Sequence, residues 1–125
     1  MIIFLGVLNA STARILTYNL LNYEDENNRE DDYVMILDLV EPDLIIAQEI
    51  IGQTGYSHFQ SDVLDVLEPN IWSSAPFTNQ SAQQDIALYY KSDIFTFIGT
   101  SVVYTAQSSG TRDVIEWVML HNLSG

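Results

Sequence analysis

The chain has 125 residues, which suits one small domain, and its 47% hydrophobic content supports a packed core and excludes wholesale disorder. Seventeen acids against four bases give a formal charge of −13, so the chain cannot neutralise a polyanion with its own side chains and would need a bound cation to do so. The absence of cysteine excludes disulfide frameworks and thiolate metal sites.

Residues 1–13, "MIIFLGVLNASTA", are apolar from Ile2 to Leu8 and then small and polar, with Ser11 and Ala13 where a signal peptidase accepts small side chains. This reads as a leader-like segment without a positive n-region. An extra N-terminal strand or a disordered apolar tail is the alternative. The leader-like reading favours a secreted or periplasmic location over a cytoplasmic one. No run reaches the ~18 apolar residues of a membrane-spanning helix, so no stable membrane span is expected.

Arg14 to Tyr18 reads as a short buried strand that stops at Asn19. Glu24 to Asp32 is an acidic loop without the glycine and ligand spacing of an EF-hand, and its acids are expected to face solvent. A helix is predicted from about Glu30 to Val40, with Tyr33, Ile36, Leu37 and Val40 on one face, acids at its positive end and Pro42 closing it. "DLIIAQEI", residues 43–50, reads as a second buried strand. Gly52 and Gly55 then mark a turn, and a second helix runs from about Ser57 to Leu67 with Phe59, Val63, Val66 and Leu67 on one face. Strands are predicted at 70–75, 85–91, 95–106 (with Gly99 as a bulge) and 114–122. Tyr33, Phe59, Tyr89 and Tyr104 read as core or sheet-face aromatics. The element order predicts an α/β class, layered as α+β, with a mixed sheet and two helices on one face.

Strand 14–18, helix 30–40 and strand 43–48 form a βαβ unit, whose crossover favours parallel pairing. Both strands then finish at one edge, and Asn19 and Glu49 emerge side by side where open α/β sheets place ligands. Glu49 offers hard anionic oxygens suited to Mg²⁺ or Mn²⁺. Asn19 can orient a phosphate oxygen or a metal-bound water. A solvated sheet edge or a helix cap would leave the same trace in sequence.

"RILTYNLLNY", a helix, then "EPDLIIAQEI" resembles the endonuclease/exonuclease/phosphatase superfamily of metal-dependent phosphoesterases, and "DIALYYKSDIFTFI" and "GTRDVIEWVMLHN" are similar to its later strands. The resemblance covers residues 14–122. It implies that Asn19 orients the scissile phosphate and helps the metal site, that Glu49 ligates Mg²⁺ or Mn²⁺, and that Arg112 contacts phosphate; a turn arginine paired with Asp113 is the alternative for Arg112. It implies a nuclease-like phosphodiesterase whose substrate is a phosphate ester, either nucleic acid or a phospholipid headgroup, with metal and phosphate handled by these residues.

Members of that superfamily are about twice as long and carry Asp-x-Asn and Ser-Asp-His motifs in a second half, and neither motif of that kind occurs here. The expectation is therefore the N-terminal half (14–125) of a four-layer α/β-sandwich, inactive alone as a hydrolase and partnered by a missing C-terminal half. His121 is expected on the surface at a strand end and His58 exposed at the start of the second helix, neither of them a general base. The rival function is a non-catalytic acidic binding module on the same fold.

Overall fold

The computed structural model describes residues 11–25, 28–80, 83–104 and 113–122. The leader-like reading of residues 1–13 falls mostly outside this range, and so does the predicted phosphate contact Arg112.

Strands β1 (Ile15–Tyr23), β2 (Leu44–Ile50), β3 (Trp72–Ser74) and β4 (Asp85–Lys91) form one mixed sheet in the order β1-β2-β4-β3. Strands β5 (Phe95–Val103) and β6 (Val114–His121) form an antiparallel pair. β1 and β2 are parallel, registered from Ile15 opposite Leu44 to Asn19 opposite Gln48. Helix α1 (Glu30–Val40) supplies the crossover between them. Glu30, Asp31 and Asp32 sit in its first turn, at the positive end of the dipole. Glu41 ends it in a left-handed conformation (φ 50°), its N–H donating to the Leu37 carbonyl, and Pro42 prevents continuation. Among the described residues no helix is long and apolar enough to cross a membrane.

Alternation along the strands sorts the core into two layers. Ile45, Ala47, Ala87 and Tyr89 face one way and pack with Leu20, Tyr33, Leu37, Phe59, Val63 and Leu64 from β1 and the helices. Leu44, Ile46, Leu88 and Tyr90 face the other way, against Phe95, Phe97, Trp117 and Met119 of the β5–β6 pair. The architecture is thus mixed α/β in three layers: helices on one face of the four-stranded sheet and a two-stranded sheet on the other. In the helical layer Tyr33 makes edge-on contacts with Tyr18, Tyr23 and Phe59 at 5.6–5.7 Å between centroids, each adding on the order of 1 kcal/mol beyond simple burial.

Several local expectations are corrected. The strand expected to be buried over 14–18 runs on to Tyr23 and leaves Ile15 exposed. Gly52 and Gly55 do not mark a turn; the second helix begins there. Helix α2 (Gly52–His58) runs on through a π-helical stretch (Phe59–Leu64) into a last α-helical turn (Asp65–Leu67). The wider π-helical turn shifts the angular phase of the helix, so Leu64 is buried while Val66 is 61% exposed. On α1 the buried stripe is Tyr33 and Leu37, with Ile36 and Val40 left exposed. Tyr104, read as a sheet-face aromatic, is 79% exposed. The predicted bulge at Gly99 is present, between Phe97 and Gly99 of β5.

Candidate functional site at the carboxyl edge of the sheet

β1 continues past Tyr18, and its ladder with β2 breaks after Asn19 and resumes only at Tyr23 opposite Ile50. Between these points Leu21 (φ 51°) and Asn22 (φ 57°) adopt left-handed conformations. The Asn19 carboxamide oxygen accepts the Leu21 N–H at 2.8 Å, an Asx turn that accounts for a carboxamide at the strand's last regular position. Arg29 secures the excursion from behind by donating to the Leu20 and Leu21 carbonyls at 3.0 and 3.1 Å, with its guanidinium over the Tyr23 and Tyr33 rings. The Tyr33 hydroxyl donates to the Leu20 carbonyl at 2.9 Å.

Glu49 is passed over by both neighbouring ladders. β1 pairs with Gln48 and then Ile50, and so does β4, through Ile86 and Asp85. Glu49 itself is left-handed at φ 59°. A residue expelled from a ladder in this way is a bulge, which re-aims its side chain relative to the strand's alternation. Its half-buried carboxylate has no hydrogen bond or ion pair among the described residues. Asn19, registered with Gln48, lies next to it across the parallel pair.

β4 enters at the same edge because it runs antiparallel to β2. Its first residue, Asp85, is 1% exposed and accepts the Gly52 N–H at 3.1 Å and the Gln80 N–H at 2.7 Å. Gln80 in turn donates from its side chain to the Asp113 carbonyl. The Gln84 amide donates to the Asn22 side-chain oxygen. Tyr23 closes the site on the helical side: its carbonyl accepts the Ile51 N–H at 2.8 Å and its hydroxyl donates to Glu30 at 3.0 Å. Burial first, and then the Glu30 carboxylate, hold the Tyr23 phenol well above its ordinary pKa.

Among the described residues no base pairs with Glu49. Arg14 pairs with Glu41 and Lys91 with Glu68, both at the opposite edge, where a cavity of about 420 Å³ is lined by these four residues and others. Arg29 is held behind the β1 carbonyls. His121 ends β6 as expected, opposite Phe95 at the amino edge, but it is half-buried rather than on the surface, with its ring centroid 5.4 Å from that of Phe95 and Ser11 at 3.4 Å. His58 lies within α2 and faces Asp62 at 3.2 Å.

Among the described residues no group of three or more His, Asp or Glu side chains is placed to hold a metal ion. Asp85 is engaged by backbone N–H groups, whereas Glu49 is a carboxylate without a hydrogen bond among the described residues; the Asn19 and Asn22 side-chain oxygens each already accept one hydrogen bond, from the Leu21 N–H and the Gln84 amide. One carboxylate with carboxamides is a poor cage for Ca²⁺ but fits Mg²⁺, which keeps several waters and shares its shell with substrate phosphate. No family model matches the chain, and no curated protein matches it.

The parallel register sets Asn19 opposite Gln48, so Asn19 and Glu49 lie at the same, carboxyl edge of the sheet, the edge the βαβ reading expects. Asn22, Gln80, Gln84 and Asp85 were not anticipated as part of this edge. The one signal in the sequence was the acid standing immediately before the alternating run "IALYY", a position where a strand entering a core would ordinarily not start with a charge.

Proposed function

We propose that the chain carries the metal- and phosphate-binding edge of a divalent-metal-dependent phosphoesterase, nuclease-like in its motifs, with Glu49 as ligand to Mg²⁺ or Mn²⁺ and Asn19 as the group that orients a substrate phosphate. The observation supporting this most directly is the double bulge at Glu49, beside Asn19 in the parallel register. It leaves a carboxylate without an ion pair among the described residues, one position past the Asn19–Gln48 pair. When bound, the ion would act as a Lewis acid on a phosphoryl oxygen. Glu49 holds it, Asn19 fixes the phosphate, and the acid-rich surroundings disfavour a phosphate that arrives without a cation. Substrates in this reading are phosphate esters, nucleic acid or phospholipid headgroups, and Arg112 would add a phosphate contact.

A second reading, a non-catalytic binding module of the same fold, is favoured by the placement of both histidines away from Glu49. The readings separate in one experiment. Mn²⁺ binding followed by electron paramagnetic resonance, and hydrolysis of bis-p-nitrophenyl phosphate, are measured for the chain and for Glu49→Ala. Binding that Glu49→Ala abolishes supports the first reading, in which the chain alone binds metal and phosphate without hydrolysing the ester; hydrolysis that Glu49→Ala abolishes would overturn only the expectation that it is inactive alone. Binding unchanged by Glu49→Ala removes Glu49 from the site and the proposal with it.

A further inference from the structure

We infer that Asp85 is the positioning residue of this site: its buried carboxylate grips the backbone at Gly52 and Gln80 and so fixes the turn that holds Glu49 out of the sheet. The inference rests on the reading of Glu49 as a metal ligand. Removing a carboxylate from water is costly unless donors are arranged around it, and at 1% exposure Asp85 has two backbone N–H groups from two separate segments. One of them, at Gly52, opens α2, whose own N-cap residue Ile51 offers no side-chain acceptor. Asp85 takes over that task from the neighbouring strand, at the positive end of the helix dipole.

The consequence reaches Glu49 through three residues of chain. On one side Gln48 is clamped between Asn19 and Ile86. On the other, Ile50 is fully buried opposite Asp85, Ile51 is bonded to the Tyr23 carbonyl, and Gly52, at φ 61°, is bonded to Asp85. A left-handed glutamate persists only where its surroundings over-determine it. Asp85 fastens the side of that clamp where both ladders end, at Ile50.

A purely structural cap would stabilise α2 without touching metal affinity, so the test reads affinity. Mn²⁺ binding is measured for the chain, Asp85→Asn and Glu49→Ala, with cooperative thermal unfolding as the check that each is folded. Asparagine keeps the shape and one acceptor but turns an NH₂ group against one of the two N–H donors. The expected result is Mn²⁺ binding weakened ten- to a hundredfold in Asp85→Asn, roughly the range for loss of a group that orients a ligand. Full affinity in folded Asp85→Asn, with binding lost in Glu49→Ala, overturns the positioning role and leaves the metal reading intact. Full affinity in Glu49→Ala overturns the metal reading instead. Should Asp85→Asn not fold, amide hydrogen exchange in the unaltered chain decides: Gly52 and Gln80 are expected to exchange slowly, and exchange as fast as an exposed loop overturns the inference.

Discussion

Gly55 lies against the carbonyl of Tyr23 so closely that a β carbon on it would stand 2.4 Å from that oxygen. The contact joins the start of α2 to the end of β1, next to the Ile51 N–H bond to the same carbonyl. Because the obstacle is backbone, it cannot swing aside as a side chain would. Gly55→Ala is therefore expected to destabilise the fold by about 2 kcal/mol, in the range of overpacked cores, visible as a lower urea midpoint with little change in slope. A midpoint equal to that of the unaltered chain would show that the two segments are not in contact.

Glu49 invites a substitution whose effects on stability and on binding diverge. In the left-handed region a non-glycine residue costs on the order of 1 kcal/mol, a cost that glycine does not carry. Glu49→Gly is expected to raise the melting temperature by a few degrees while removing divalent-cation binding. If stability falls instead, the φ of 59° is not the conformation of Glu49 in solution.

The strands were legible because each is a short apolar run between polar stretches, and the parallel pairing of β1 and β2 followed from the length of the crossover. That was enough to put Asn19 and Glu49 on one edge. The sequence was silent where an outcome depended on another segment. Gly55 looks like a turn former until Tyr23 is seen behind it, and nothing in "AQEI" announces that Glu49 leaves the ladder, since glutamate carries no preference for positive φ. Asp85 shows in the sequence only as an acid at the head of a core strand. Its meaning lies in Gly52 and Gln80, 33 and 5 residues away. Ile36 and Val40 fit the helical period on α1, yet the face turned to the core presents Tyr33 and Leu37, with Val34 packed beside them.

Asn19 has two tasks, and two substitutions separate them. Asn19→Ala loses the acceptor for the Leu21 N–H and is expected to cost about 1 kcal/mol in urea unfolding. Asn19→Asp keeps that acceptor and adds a second carboxylate beside Glu49. Mn²⁺ is then expected to bind more tightly than in the unaltered chain, and inorganic phosphate, added with the metal, more weakly. Calorimetric titration of both ligands checks the pair, and a weaker metal affinity in Asn19→Asp would mean that the two side chains do not face one ion.

The tyrosines set the alkaline limit of the fold. Tyr18, Tyr23, Tyr89 and Tyr90 all have phenols raised above the ordinary value near 10, in each case first by burial. Second come the charge of Asp32 at Tyr18, the hydrogen bond to Glu30 at Tyr23, and Tyr56 at both Tyr89 and Tyr90. A group raised in the folded state keeps its proton there while the unfolded chain loses it. Above about pH 10 the folded protein therefore binds more protons, and stability, fully present below that pH, is lost as pH climbs towards the raised values. The melting temperature is expected to be steady from about pH 8 to 9.5 and to fall steeply beyond about 10. Tyr23→Phe removes one of the raised phenols, so its alkaline slope should be shallower, although it costs about 1 kcal/mol at neutral pH through the lost bond to Glu30. Identical slopes in the two proteins would mean that Tyr23 is not protected from ionisation, and that the packing of Tyr23 between Tyr33 and Phe59 is looser than 5.6 and 5.8 Å.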